Sequence, residues 1–297
     1  MRRDFEDDSS DTSRFIEGGD YMEHPSHGTS AHQNTDTLRA NYPWVEHFLR
    51  EHPGYNFVEY SSPPEFAEVP DLNDARVALI STVGVYGEDQ RSFKISPGEV
   101  EPKYLRQRFR QMGDDSFRVI SASVEPESLR VAYPHLDTSG AEKDINSVFP
   151  ITRLLELEEE DYIGSVAMAH LSFMGYIPNP SGLLATIDST VDLLAEDDVN
   201  LALFTPADLL SHQTMAIIQR AVEAAGISTI SVALCKDVVD VVGVPRAVHY
   251  RFPFGYTFGD PNDETMQLRI LKETLRASTE IEEAGTVVEL PYQWLEL

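Results

Sequence analysis

The chain has 297 residues, enough to bury a full core as one large domain or as one domain with appendages. Its formal net charge is −27, and its 23 basic residues are 18 Arg and only 5 Lys, a field that argues against nucleic acid and anionic membrane surfaces as partners. Cys235 is the only cysteine, which excludes disulfide frameworks, CxxC redox pairs and cysteine-built zinc sites within one chain.

Residues 1–38 are rich in Asp, Ser, His, Thr and Gly without apolar periodicity, and are expected to form a disordered acidic tail. Its His24, His27 and His32 lack the regular spacing of a metal-binding tract. Met1-Arg2-Arg3 runs straight into acidic residues, and no apolar run approaches the roughly 18 residues of a membrane span, so a cytoplasmic protein is expected. The acidic surface reads as solvated and suited to high salt; docking of a basic partner is the alternative. Residues 39–74 carry a short helix, Tyr42 to Glu51, and a connector with Pro63, Pro64 and Pro70.

Residues 75–297 alternate strand and helix. Arg76 to Thr82 reads as a buried strand ending at Gly84, and Phe117–Ile120 and Leu129–Tyr133 as short strands. Asp144 to Glu159 is an amphipathic helix with Ile145, Val148, Ile151, Leu154 and Leu155 on one face, and Phe149-Pro150 begins or restarts it. Next come a strand Ile163–Met168, a helix Leu183–Leu194, a strand Leu201–Phe204 and a helix capped by Ser211. A strand Thr229–Leu234, a helix Val238–Val242, a strand Arg246–Tyr250 and a helix Asn262–Ala277 follow, with Thr286–Leu290 as a further edge strand. The expected fold is α/β: a largely parallel sheet with helices on both faces, a three-layer Rossmann-like architecture.

Polar residues just past the strands of such a sheet converge on one rim. That set is Ser81, Thr82 and Gly84, then His135 and Asp137, His170 and Ser172, Asp208, Ser211 and His212, and finally Cys235 and Lys236. His with Asp serves either as an oriented general base or as a metal site with a carboxylate, so the cofactor is left open between none and a metal. Ser211 and His212 are adjacent at a helix start and point in different directions, which argues against a nucleophile–base pair. No G-x-S-x-G, G-x-G-x-x-G or G-x-x-x-x-G-K-[ST] pattern occurs, leaving hydrolase and nucleotide-binding readings without support. Cys235 is better read as a buried thiol than as a nucleophile. Asp144 and Asn146 are either helix caps or ligand groups, and Phe252 to Tyr256 either aromatic packing or a pocket wall able to hold a quaternary ammonium.

Three blocks carry a family resemblance. They are Leu129–Pro150 continuing through Arg153 to Gly175, the strand–loop–helix Leu203–Gln213, and Pro245–Asp263. Together they resemble the selenoprotein B family of glycine, sarcosine, betaine and D-proline reductases over about residues 75 to 280. The resemblance implies a subunit of a reductive-cleavage system, working with partner subunits or as a homo-oligomer on a small amino-acid- or betaine-like substrate. In the family a selenocysteine or cysteine of the second block attacks the activated substrate and splits a carbon–nitrogen bond. Aligned to that block, the nucleophile position falls on Asp208 and the second cysteine position on Ser211; neither side chain can be oxidised and reduced in that way. On one reading the chain keeps a family-type pocket and does other chemistry, with Asp208, His170 and His135 as acid, base or metal ligands, Ser211 and His212 beside them, and Asp137, Ser172, Gly84, Asp144, Asn146 and Phe252 around the substrate. The alternatives are a chain that remains part of a reductase system, with Cys235 or a partner's thiol as the redox group, and a catalytically silent binding or scaffold subunit.

Overall fold

The structure is a computed structural model and describes residues 31–32, 41–52, 55–94, 113–134 and 136–294. The tail expected over residues 1–38, with His24 and His27, lies outside them except for a two-residue strand, β1 (Ala31–His32), paired antiparallel with β2 (Glu59–Tyr60).

The main sheet is built from strands that read as continuous apolar runs because both of their faces are covered. β3 (Arg76–Ser81) is buried from Val77 onward, β9 (Leu201–Thr205) and β10 (Ser228–Ala233) are buried throughout, and β11 (Arg246–Arg251) is buried over most of its length. Two further strands, β5 (Asp114–Ser121) and β12 (Thr286–Gln293), close the edges. β3 is flanked on one side by β9 and on the other by β7 (Ser165–Val166) and β8 (Ala169–Met174). The order is β12-β11-β10-β9-β3-β8-β5, all parallel except β5, which runs antiparallel to β8. A small separate ladder pairs β4 (Val85–Gly87) with β6 (Leu129–Val131).

Helices cover both faces, as the alternating pattern requires. Helices α1 (Trp44–Glu51), α2 (Ser139–Lys143), α3 (Ile151–Glu159), α4 (Leu184–Glu196), α5 (Leu209–Ala224), α6 (Lys236–Val242) and α7 (Glu264–Glu280) follow in chain order. On one face, Ile187 and Leu194 of α4 and Met215, Ile218 and Val222 of α5 pack on Ala78, Ile80, Leu171, Phe173 and Phe204. On the other, Leu154 and Leu157 of α3 and Ile270, Leu271 and Leu275 of α7 pack on Val77, Leu79, Leu203, Ile230 and Val248. Each of these buried side chains other than Ala78 contributes about 1.5–3 kcal/mol of transfer free energy.

The connector after α1 is strapped to this core by cations. Arg246, buried, pairs with Glu223, bonds the Ala67 carbonyl and lies over the Phe66 ring, while the Ala67 amide donates to Glu223 Oε1 at 2.8 Å.

Three expectations need correction. The helix expected over 144–159 is two pieces, a 3-10 turn at Ile145–Ser147 and α3, with Pro150 at the restart. Pro150 lacks an amide proton and its ring clashes within a continuous helix, so the break is steric. The strand expected over 163–168 is mostly later: Asp197 Oδ2 accepts from the amides of Met168 and Ala169 and pins an outward step, after which β8 carries the main ladder. His170 and Ser172, read as lying past a strand, are therefore inside one. The third is at the start of α5, whose cap is Asp208 and not Ser211.

Candidate functional site at the β3–β9 switch point

From β3 the chain crosses to β8 on one side and then returns to β9 on the other, so crossovers leave β3 in opposite directions. A crevice therefore opens at the carboxyl ends of β3 and β9, where doubly wound sheets bind ligands. The loops there are Thr82-Val83-Gly84 and Pro206-Ala207-Asp208. They are joined by the Thr82 amide, which donates to the Thr205 carbonyl at 2.9 Å.

Asp208 caps α5 in a reciprocal box. Its Oδ1 accepts from the Ser211 amide at 2.9 Å, and Ser211 Oγ lies 3.0 Å from the Asp208 amide and 2.7 Å from that of Ala207. Such a box fills orphan donors that every helix start leaves. Ser211 packs on Gly175 at the end of β8, where an added Cβ would fall 2.5 Å from Ser211 Cβ.

Tyr133 supplies a second donor to Asp208: its hydroxyl lies 2.5 Å from Oδ1. It reaches there because Gly84, with φ +79°, lets the chain approach Ala132, whose carbonyl would be 2.3 Å from any Cβ at that position. Burial first, and then the Asp208 charge, holds the Tyr133 phenol well above its ordinary pKa, so it is a neutral donor. Asp208 itself is 8% exposed. Tyr55 closes the surround, donating to the Leu210 carbonyl at 3.1 Å.

His212 is fully buried and spends both ring nitrogens on the backbone. Nε2 accepts from the amides of Leu234 and Cys235 at 2.9 and 3.1 Å, which leaves Nδ1 to donate to the Asp208 carbonyl at 2.5 Å. Burial lowers its pKa to about 4. It staples α5 to the end of β10, and Phe254 covers its ring at 6.1 Å.

His170 stands apart from this group. It sits beside Leu79, whose amide donates to its Nδ1 at 3.0 Å, and Leu79 pairs with Leu203 of β9. That is two residues, about 7 Å, short of the end of β9. Burial lowers its pKa to about 4, and its Nε2 has no hydrogen-bond partner among the described residues. Ser172 pairs with Ser81, which pairs with Thr205, so three hydroxyls lie side by side on adjacent strands at the rim. All three are buried, and Ser172 Oγ and Thr205 Oγ1 have no partner among the described residues.

The remaining candidates disperse. His135 lies outside the described residues. Asp137 is exposed and turns its Oδ1 to the Ser139 amide. Asp144 takes Asn146 on Oδ1 and Asn262 and Gln267 on Oδ2, while Asn146 Oδ1 accepts from Thr152 at the start of α3. Burial alone would raise the Asp144 pKa, but these bonds outweigh it and hold the carboxyl below its usual value. Both residues are joints of the fold. Phe252 packs against Tyr250, Tyr292 and Trp294. Lys236 pairs with Asp240 along α6, and burial pushes the Cys235 thiol up to about 11. Among the described residues no three His, Cys, Asp or Glu side chains converge to hold a metal ion. Tyr133 and Tyr55 were missed by sequence reasoning; Tyr133 was within reach, since it lies inside the first quoted block.

Comparison with known proteins agrees with the blocks quoted above. Over 241 residues, 80% of this chain and 93% of the relative, the sequence is 32% identical to the D-proline reductase subunit gamma of Acetoanaerobium sticklandii. The chain belongs to the glycine/proline reductase selenoprotein B-like family. A second member, the glycine reductase complex component B subunit gamma of Symbiobacterium thermophilum, is 24% identical over 259 residues, 82% of this chain and 57% of that protein. No family model and no solved structure matches the chain. Both relatives are named as subunits of reductases, and among the described residues of this member no helix is long and apolar enough to cross a membrane.

Proposed function

We propose that this chain is a binding or scaffold subunit of a glycine/proline reductase-type assembly, with no redox nucleophile of its own at the switch point. The observation that carries the reading is the state of Asp208, at the position the resemblance assigns to the selenocysteine or cysteine. It is buried, caps α5 through Ser211 and is held by Tyr133. A chalcogen nucleophile needs an exposed anion at the helix amino end, where the dipole favours it. Here a carboxylate and a hydroxyl satisfy that end internally. Cys235 does not replace the missing group, since burial raises its thiol to about 11 and little thiolate forms near neutrality. A small amino-acid- or betaine-like ligand admitted at the rim would find beneath it the buried hydroxyls of Ser172 and Thr205, which have no hydrogen-bond partner among the described residues.

A second reading rests on the 2.5 Å Tyr133–Asp208 bond: that pair can hold a proton beside the strand ends and act as an acid–base unit on a bound ligand. One assay separates the two. The purified full chain is incubated with D-proline, glycine or betaine and dithiothreitol, and product amine or acid is measured. No turnover by the wild type, with Asp208→Asn indistinguishable from it, is expected. Turnover by the wild type that Asp208→Asn abolishes would replace the first reading by the second.

A further inference from the structure

A cleft of about 790 Å³ opens beneath β6 and the amino end of α3, within the range of small-ligand sites. It is lined by Arg130, Lys143, Thr152, Arg153 and Glu264 among others. Arg153 is the unusual member. It is 5% exposed, yet its Nε and Nη1 have no hydrogen-bond partner among the described residues. Its Nη2 pairs with Glu156 at 2.7 Å, and Glu264, itself 72% exposed, stands 3.6 Å from Nη1, too far for a hydrogen bond. A buried guanidinium with open donors is costly unless something completes it. Beside it, Thr152 Oγ1 is also buried without a partner among the described residues. Lys143 has no ion pair among the described residues, and the amino end of α3 adds a positive dipole. Of the other acids that line the cleft, Asp144 is hydrogen-bonded by Asn146, Asn262 and Gln267 and Glu142 by Thr138, while Glu127 is exposed.

We propose that this cleft binds a small oxyanion, a carboxylate or a phosphate, on Arg153, with Thr152 and Lys143 as further donors and Glu264 as a carboxylate that the ligand displaces. An arginine guanidinium donates charge-assisted hydrogen bonds to either group. Glu127, Glu142, Asp144 and Glu264 line the same cleft, so anion binding there rests on the open donors of the buried Arg153 and not on a net positive field. The proposal does not depend on the assignment made for Asp208.

The test is isothermal titration calorimetry of the full chain at fixed ionic strength, with sodium phosphate in one series and sodium acetate in another. Saturable binding of at least one anion is expected; phosphate alone marks a phosphate-type ligand, and acetate marks a carboxylate. Arg153→Gln should weaken binding at least tenfold, and Lys143→Gln a few-fold. Glu264→Gln should tighten it a few-fold, because the competing carboxylate is gone. Lys143 and Glu264 are exposed, so their variants serve if Arg153→Gln does not fold. Absence of binding by both the wild type and Glu264→Gln overturns the proposal, as does a folded Arg153→Gln of unchanged affinity or equal affinity across the Lys143 and Glu264 variants.

Discussion

The loop after β9 and the cleft beneath β6 are joined by one segment, Leu129–Tyr133, and are built in opposite ways. At the loop Asp208, Ser211, His212 and Tyr133 consume one another's donors and acceptors or those of the backbone. At the cleft Arg153 and Thr152 keep buried donors open. At the switch point the surroundings of Asp208 are sealed, with only the buried hydroxyls of Ser172 and Thr205 left without a partner among the described residues, whereas the neighbouring cleft keeps cationic donors open. Position in a fold nominates a site, but satisfaction of its polar groups decides whether free energy remains there for a ligand.

The largest expected effect comes through pH, at His212 of the loop and at His170 inside β8. His170 and His212 have folded pKa values of about 4 against about 6.5 unfolded, so between those limits the unfolded chain binds more protons. Stability is then complete above about pH 6.5 and falls as pH drops toward 4, by on the order of 3 kcal/mol per histidine. Urea midpoints at pH 7.5 and 4.5 measure this, and His170→Leu should remove about half of the drop; a flat profile would contradict the buried, neutral assignment. Next, Asp208→Ala removes a cap worth about 1 kcal/mol and orphans the Tyr133 hydroxyl at about 1–3 kcal/mol, for a loss of about 2–4 kcal/mol in urea unfolding. Asp208→Asn should cost about 1 kcal/mol, since an amide oxygen still caps. Equal stability of all three proteins would mean that the loop is not sealed by Asp208. At the chemical level, a thiol held at about 11 where 9.0 is ordinary should react with iodoacetamide at pH 8 about 100-fold more slowly than an unperturbed thiol. Rapid alkylation of Cys235 would reopen it as a nucleophile. The smallest effect belongs to the cleft: Glu264→Gln should change unfolding free energy by less than about 0.5 kcal/mol, so that any shift in anion affinity is a binding effect.

Much of the fold was legible because strands buried on both faces announce themselves as apolar runs, as Leu201–Thr205 and Ser228–Ala233 do. Strand order was not legible, since it is fixed by long-range pairing. The error at β8 has a specific cause: His170 and Ser172 are polar residues buried on one face, so they erase the pattern at the place where the strand begins. At α5 the signal was present and misassigned. Asp-x-x-Ser before an apolar run is a capping pattern, with Asp208 as the cap and Ser211 as its reciprocal partner. The quoted blocks led to the family, but not to the internal closure of its second block, because Tyr133 meets Asp208 only through a contact 75 residues apart. Arg153 was passed over as part of a motif; its sequence sign was being the single cation in a helix otherwise apolar, polar or acidic.

β12 ends the sheet, and its register against β11 breaks between His249 and Arg251, opposite the stretch Glu289 to Gln293 that contains Pro291. A proline offers no amide to a newcomer, and an irregular border fits poorly against a regular strand. The border is thus guarded against stacking of copies edge to edge, a hazard of long parallel sheets. At this edge a partner is left with side chains and not open amides to meet, and there sequence can dictate which partner fits.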